Sequence, residues 1–139
     1  MKIVQKAGGI VLNTKGEVLI IKNDLGRLTL PKGGLEPGET HIEAAEREVL
    51  EEGGINKVTI IRELGTIVRQ GYTHDNHESP SVIKHIRIYL CTTNETELNP
   101  KVKDVLGAYW VNKDDVVKTL SWQEEAEFFI NNSAKIFKQ

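Results

Sequence analysis

The hydrophobic positions of this chain fall mostly into short runs that are rich in β-branched residues and bounded by Gly, Asn or Pro. Runs of this kind are typical of β-strands. The segments that the pattern predicts as strands are 3–12, 17–22, 57–70, 81–93 and 107–112. The turn composition of residues 13–16 predicts that the first two strands form an antiparallel hairpin. A polar loop over residues 71–80 is predicted to join the third and fourth.

A central helix is predicted after residue 40. Thr40 and Glu43 have the spacing of a capping box, helix formers continue through Glu52, and the Gly53-Gly54 pair then ends the pattern. Just before this helix, the segment from Pro31 to Glu39 holds two Pro and three Gly. That composition predicts a shaped loop without regular helix or strand.

The C-terminal part of the chain is predicted to be helical. Residues 113–120 form one helical segment, and Ser121 and Glu124 repeat the capping-box spacing before a final helix. The apolar side of that final helix carries Trp122, Ala126, Phe129 and Ile136. Strands, one central helix, further strands and a terminal helix together predict an α/β sandwich, with a mixed sheet covered by helices on both faces.

Composition sets the remaining bounds. With 139 residues, 39% of them hydrophobic and 27% charged, the chain is predicted to fold as one domain over residues 1–139. A net charge of −2 argues against stable nucleic-acid binding, and no apolar run approaches the length that spans a membrane. The single Cys91, expected in the core, is typical of a reducing compartment. These features predict a cytoplasmic protein, either a monomer or a homodimer.

Three glutamates of the central helix, Glu48, Glu51 and Glu52 (the glutamate trio), stand close together. Their i, i+3, i+4 spacing places the Cβ atoms about 5 to 6 Å apart on one side of the helix. Like charges at this spacing repel each other, and only Arg47 is a built-in counter-charge. Clustered carboxylates without Cys or a well-placed His suit Mg²⁺ or Mn²⁺. The spacing therefore predicts a metal and phosphate site, the alternative being a solvated Glu-rich helix face.

A longer motif of fixed spacing includes the glutamate trio. The chain matches the pattern G-x5-E-x7-R-E-U-x-E-E-x-G-U, where U is aliphatic, at Gly33, Glu39, Arg47, Glu48, Val49, Glu51, Glu52, Gly54 and Ile55. This motif, residues 33–55, resembles the Nudix box of the Nudix hydrolases. The resemblance implies a Nudix-type α/β/α sandwich and the metal-dependent hydrolysis of a nucleoside diphosphate linked to another group.

The resemblance also implies roles for single residues. In Nudix hydrolases the cation is bound by the glutamates at the positions of the trio, together with the backbone carbonyl at the position of Gly33. Arg47 is implied to orient the glutamates through salt bridges, and Glu39 to fix the loop against the helix. Both are therefore grouped with the catalytic residues. The alternative for Glu39 is an acidic residue at the helix N-terminus that the helix dipole favours.

A proton acceptor for the attacking water is also required. Glu48 or Glu52 is expected to act as that acceptor, with Glu78 of the 71–80 loop as a rival. For the polar residues of this loop, a second metal site, closure that brings Glu78 or Asp75 into the active site, and simple solvation are all open. Those residues are His74, Asp75, His77 and Glu78.

Three residues outside the motif are candidates for substrate binding. Tyr72 lies 17 residues after Ile55, where the asymmetrically cleaving diadenosine tetraphosphate hydrolases of this family carry a tyrosine that stacks on adenine. Lys32 is close enough to the motif to reach a phosphate. Lys84 is preferred to Arg87, which lies on the opposite face of the same strand.

The sequence thus predicts an enzyme that acts on a small nucleotide, best matched by a dinucleoside polyphosphate such as diadenosine tetraphosphate, cleaved to ATP and AMP. Two other activities stay open, a nucleoside triphosphate pyrophosphohydrolase and an RNA 5′-end pyrophosphohydrolase. A non-catalytic nucleotide-binding regulatory module is the alternative of another class, although such modules commonly lose the carboxylates that this chain retains.

Overall fold

The sheet is built from the predicted β-rich segments and two further short strands. A computed structural model describes the backbone of residues 2–72 and 78–137 and the side chains of residues 2–71 and 82–137. The strands are β1 Lys2–Leu12, β2 Val18–Asn23, β3 Leu28–Thr29, β4 Lys32–Gly34, β5 Thr59–Tyr72, β6 Glu78–Thr92 and β7 Val105–Val111. The helices are α1 His41–Gly53, α2 Val116–Thr119, α3 Gln123–Asn131 and α4 Ser133–Phe137, with a short 3-10 helix, Lys113–Asp115, before α2.

The sheet is mixed, as predicted. Within the described ranges the strand order is β3-β2-β1-β6-β5, with β4 beside β1 and β7 beside β2. β1 and β6 run parallel along the whole of β1, and the pairings of β1 with β2 and β4, β2 with β3 and β7, and β5 with β6 are antiparallel. The predicted hairpin is paired at its turn, where Leu12 faces Val18.

Alternate residues of the central strands fill two separate cores. The core under α1 contains Ala7, Val11, Leu19, Ile21, Ala44, Ala45, Val49, Ile55, Tyr89 and Cys91. The core under α2, α3 and α4 includes Ile10, Ile20, Ile86, Ile88, Leu90, Val116, Phe129 and Ile136. Helices therefore cover both faces of the sheet, which confirms the α/β sandwich. No helix in the described ranges is both long enough and apolar enough to cross a bilayer.

The predicted ends of α1 are confirmed. The Thr40 side chain accepts a hydrogen bond from the Glu43 amide, and the Glu43 side chain accepts one from the Thr40 amide. At the other end Gly54 is left-handed, with φ of 64°, and its amide donates to the Leu50 carbonyl. A Cβ at Gly54 would also collide with the backbone of Asn99. Both ends of the helix that carries the glutamate trio are thus fixed locally.

The predicted bounds of two loops are wrong. Part of the Pro31–Glu39 segment forms β4, because Lys32–Gly34 finds a partner in β1. Both ends of the predicted 71–80 loop belong to β5 and β6, which pair as far as Tyr72 and Glu78. In both cases a partner strand supplies hydrogen bonds that turn composition cannot reveal, β1 for β4 and the neighbouring strand of the hairpin for β5 and β6. Residues 73–77 lie outside the described residues.

The predicted cap of the terminal helix is also wrong. The Ser121 hydroxyl accepts a hydrogen bond from the Leu28 amide at 2.8 Å, so it joins this corner to β3. Helix α3 starts after Trp122 without a side-chain cap, and the helix is interrupted between Asn131 and Ser133. Ser121 satisfies a strand amide instead of a helix amide.

Candidate active site

The glutamate trio lines a cavity at the side of α1. The volume of this cavity is about 250 Å³. Its lining residues are Glu36, Arg47, Glu48, Glu51, Glu52, Val102 and Asp104. The capped helix presents the trio from one side, and the segment before β7 contributes Asp104 from another. The cavity is thus lined almost entirely by carboxylates around one guanidinium.

Arg47 connects the loop before α1 to the helix itself. Its guanidinium donates to both carboxylate oxygens of Glu39, at 2.7 and 2.9 Å, and to the Gly34 carbonyl at 2.9 Å. The Nη1 atom donates to Glu48 at 2.7 Å and to Glu51 at 3.1 Å. One planar side chain therefore sets the loop geometry and the orientation of two members of the trio. Arg47 therefore pairs with Glu48 and Glu51 and ties Glu39 to the helix, while the catalytic roles of Arg47 and Glu39 stay predictions.

Gly33 lies directly against the trio. It belongs to β4 and faces Ala7 of β1, and a Cβ at this position would overlap the carboxylate of Glu48. The Glu48 carboxylate thus occupies the space that a side chain at residue 33 would need. Glycine is required here by close approach, which is a steric reason independent of any ligand role of the Gly33 carbonyl.

The carboxylates of the site differ in their electrostatic surroundings. Hydrogen bonds from Arg47 hold the pKa of Glu39 at about 2, so it stays ionised. Burial raises the pKa of Glu48, against the opposing effect of Arg47. Burial also raises the pKa of Glu52 to about 7, although the charge and backbone amide of Lys32 oppose the shift. Crowded, half-buried carboxylates of this kind favour a compensating cation.

The donor set fits a hard divalent cation. Carboxylate oxygens are ligands that Mg²⁺ and Mn²⁺ prefer, and the trio supplies them around one cavity, with Gly33 next to Glu48. Within the described ranges, no three carboxylate, imidazole or thiol groups are already arranged as ligands around one point. Glu48 and Glu51 each direct Oε1 to Arg47, so a cation can be bound through the second oxygen, Oε2, of each.

Lys32 is held by a residue that the sequence analysis missed. Its Nζ lies 3.1 Å from Oε2 of Glu125 on α3 and donates to the Leu30 carbonyl at 3.3 Å. The backbone amide of Lys32 donates to Glu52 Oε1 at 3.0 Å. In this structure Lys32 therefore joins α1 to α3, and its predicted contact with a substrate phosphate stays a prediction.

Lys84 lies in a cluster of positive charge, here termed the cationic corner (Lys6, Arg69 and Lys84). Arg69 faces Lys84 across β5 and β6, and Lys6 lies on the same face of the neighbouring β1. Burial, reinforced by the charges of Lys6, Arg69 and Lys32, lowers the pKa of Lys84 to about 7, and burial also lowers the pKa of Lys6. Among the described residues, neither Lys6 nor Lys84 forms an ion pair.

Some of the predicted site residues lie outside the part of the chain that the structure describes. The side chains of Tyr72 and Glu78 are not among the described side chains, and His74, Asp75 and His77 lie in the undescribed segment. Their predicted roles stay predictions. Conversely, the structure adds Lys6, Asp104 and Glu125 to the site. Each lies outside the motif, in a segment of ordinary composition. The sequence therefore carries no signal that could have identified these three residues.

Comparison with known proteins gives a consistent family. A sequence model of the NUDIX domain matches residues 2–131. A Bacillus subtilis protein provisionally named an 8-oxo-dGTP diphosphatase is 38% identical over 74 residues, which are 52% of this chain and 49% of that protein. An RNA pyrophosphohydrolase of Helicobacter pylori is 25% identical over 104 residues, 68% of this chain and 64% of that protein. The matches thus span about half to two thirds of the length of these curated relatives.

Solved structures agree on the fold. The crystal structure of the Caenorhabditis elegans Ap4A hydrolase superposes with a TM-score of 0.72 and 23% identity, covering 96% of this chain and 98% of that one. At this identity the likeness establishes the architecture. The α/β/α arrangement predicted from the order of elements is confirmed.

Proposed function

This chain belongs to the Nudix hydrolase family, and we propose that it cleaves a phosphoanhydride bond in a nucleoside diphosphate linked to another group. One arrangement carries the proposal. The glutamate trio, oriented in part by Arg47, lines the same cavity as Asp104. Lys6 of the cationic corner is close enough to Glu52 for the two charges to interact. A site for hard cations beside a site for anions suits a polyphosphate chain.

The residues divide the work of hydrolysis. A divalent cation, Mg²⁺ or Mn²⁺, held by the trio and the Gly33 carbonyl would acidify a bound water and neutralise charge on the phosphate oxygens. Glu52 is assigned as the proton acceptor, with Glu48 as the second candidate. The assignment follows the contacts, because Glu48 and Glu51 are engaged by Arg47, whereas Glu52 accepts a single backbone hydrogen bond. Arg47 and Glu39 position the trio.

The proposed substrate is a dinucleoside polyphosphate such as diadenosine tetraphosphate, cleaved to ATP and AMP. The cationic corner supports a substrate with high negative charge, and the sequence position of Tyr72 supports stacking on an adenine. Lys84 is assigned to a substrate phosphate. Lys32 is assigned to the same role only where it can release Glu125.

RNA 5′-end pyrophosphohydrolysis is the second candidate. It is favoured by the name of the Helicobacter pylori relative, which matches the larger share of this chain. The reaction requires the same cleavage of a phosphoanhydride and differs in what lies beyond the phosphates. Nucleoside triphosphate pyrophosphohydrolysis and a regulatory, non-catalytic role are the remaining alternatives.

A substrate panel tests the proposal. Diadenosine tetraphosphate, the four nucleoside triphosphates and a 5′-triphosphorylated RNA are incubated with Mg²⁺ or Mn²⁺, and the products are separated by chromatography. We expect ATP and AMP from the dinucleotide, with the highest kcat/KM of the panel. The control for variants of the glutamate trio is Glu46→Gln. It changes an exposed glutamate of α1 that does not line the cavity. Absence of metal-dependent cleavage across the panel would refute hydrolysis and leave the regulatory alternative.

A further inference from the structure

Glu125 is a carboxylate with no contact to solvent. Its side chain is 0% exposed on α3, and both of its oxygens point to the segment before Gly33. Oε1 accepts a hydrogen bond from the Leu30 amide at 3.0 Å, and Oε2 lies 3.1 Å from Lys32 Nζ. Burying an ionised carboxylate is costly unless charges and hydrogen bonds compensate it. A charge in this position, in a helix that otherwise contributes apolar residues to the core, calls for an explanation other than packing.

The contacts of Glu125 continue to the glutamate trio through one residue. The ammonium of Lys32, whose side chain is 9% exposed, binds Glu125, while the amide of the same residue binds Glu52. Gly33, which lies against the carboxylate of Glu48, is the next residue in the chain. A continuous path of contacts therefore runs from α3 through Lys32 to Glu52, and the next residue, Gly33, lies against Glu48.

The ammonium of Lys32 has more than one carboxylate within electrostatic reach. Its positive charge already acts on Glu52, opposing the upward pKa shift that burial causes. Glu125 is the carboxylate that holds Nζ in an ion pair on the α3 side. If that partner is removed, the buried ammonium is left uncompensated, and the nearby Glu52 is the acidic group available to it.

We propose that Glu125 is a positioning residue of the metal site, which keeps the Lys32 ammonium away from the glutamate trio and fixes the strand that carries Gly33. The inference rests on the proposed function, because it assumes that the trio binds a cation. Residues that orient metal ligands from outside the coordination sphere typically change metal affinity by about 10- to 100-fold when removed. Loss of the Glu125 charge should weaken cation binding in that range, because Lys32 then competes for the trio.

The test measures Mn²⁺ binding without substrate, by electron paramagnetic resonance of the free ion. Glu125→Gln keeps a side-chain oxygen for the Leu30 amide and removes the charge, and it should weaken Mn²⁺ binding about 10- to 100-fold. The double variant Lys32→Met with Glu125→Gln removes the competing ammonium as well, and it should recover most of the lost affinity. A purely structural role of Glu125 would give no recovery, because the second substitution adds to the damage in the core.

Two controls separate positioning from general effects. Glu124→Gln removes an exposed charge from the same helix and should bind Mn²⁺ like the wild type. Phe129→Leu loosens the core under α3 without touching Lys32, and it should lower the melting temperature without lowering Mn²⁺ affinity. If Glu125→Gln fails to fold, Glu125→Asp keeps the charge with a shorter reach and should weaken binding in the same direction.

Each outcome decides the inference. Wild-type affinity in Glu125→Gln, or in Glu125→Asp where that variant replaces it, overturns it. So does a double variant that binds no better than Glu125→Gln, and so does an equal loss of affinity in Phe129→Leu. If the wild type hydrolyses its substrate with Mn²⁺ and the Glu125 variants bind Mn²⁺ as tightly as the wild type does, the inference fails but the proposed function stands. A wild-type protein that neither binds Mn²⁺ nor hydrolyses any nucleotide would overturn both.

Discussion

On the α1 side of the site, four glutamates pair with the guanidinium of Arg47, whereas on the sheet side Lys6 and Lys84 share a face with Arg69 and form no ion pair within the described residues. Arg47 stabilises the acidic side before any ligand arrives. In the cationic corner, burial and mutual repulsion instead weaken the hold of Lys84 on its proton. Hydrogen bonds from Arg47 thus hold the acidic side in place, whereas burial and repulsion disfavour the charge of Lys84, a cost that a bound polyanion would relieve.

The largest expected effect comes from the acidic side. Glu52→Gln keeps the shape of the side chain and removes its ability to accept a proton, so we expect turnover to fall by about 10²- to 10⁴-fold. The melting temperature should hardly change, because the substitution removes a buried charge that burial already disfavours. Steady-state kinetics with Mg²⁺ and thermal unfolding measure the two quantities. Turnover close to that of the wild type would exclude Glu52 as the proton acceptor.

A pair of glycine variants tests how tightly the acidic side is packed. In Gly33→Ala the new Cβ overlaps the Glu48 carboxylate, which must move, so we expect Mn²⁺ affinity and turnover to fall by about 10- to 100-fold. In Gly34→Ala the new Cβ meets no atom within 4 Å, so activity should stay near the wild-type value. Titration with Mn²⁺ measures the affinity of each variant, and steady-state assays measure its turnover. Equal behaviour of the two variants would contradict the steric role of Gly33.

Arg47→Lys tests whether geometry or charge assembles the acidic side. A lysine retains the positive charge but cannot make the paired hydrogen bonds to Glu39 while also reaching Glu48 and Glu51. We expect turnover to fall about tenfold or more, with only a modest loss of stability because the site is partly exposed to solvent. Assays across Mg²⁺ concentrations are the measurement. Full activity would show that charge alone suffices.

The smallest effect is expected from the cationic corner, where removing a charge should increase the stability of the protein. Lys84 has a pKa of about 7 in the folded protein, below its ordinary value, so the unfolded chain binds more protons between these two values. Stability contributed by this residue is therefore gained as pH rises above 7 and lost as pH falls. Lys84→Met removes the unfavourable charge and should raise the melting temperature at pH 7 by about 2 to 4 °C.

The same residue should give a pH signature in substrate binding. If Lys84 binds a phosphate as a cation, KM of the wild type should rise as pH increases above 7, whereas KM of Lys84→Met should be about tenfold higher and less dependent on pH. Kinetics between pH 6 and 9 give this comparison, with Arg87→Met on the opposite face as the control. A parallel pH dependence in both proteins would remove Lys84 from the substrate site.

The contrast between the acidic side and the cationic corner also explains which features of the site the sequence could predict. The acidic side is local: Thr40, Glu48 and Gly54 act through spacing along one helix, and both the helix and the family follow from that spacing. The cationic corner depends on the parallel register of β1 with β6, which determines that Lys6 and Lys84 share a face. The contact of Leu30 with Glu125 joins residues 95 positions apart. No periodicity encodes such pairs, and they become visible only when the chain is folded.

The parallel pairing of β1 with β6 also constrains how this protein is made. During synthesis all eleven residues of β1 emerge before the parallel neighbour of that strand, which ends at Thr92. Until the ribosome has released this later segment, one long edge of β1 has unpaired amide and carbonyl groups, a template for unwanted association. Lys2, Gln5 and Lys6 at the start of the strand are polar residues of the kind that oppose such association.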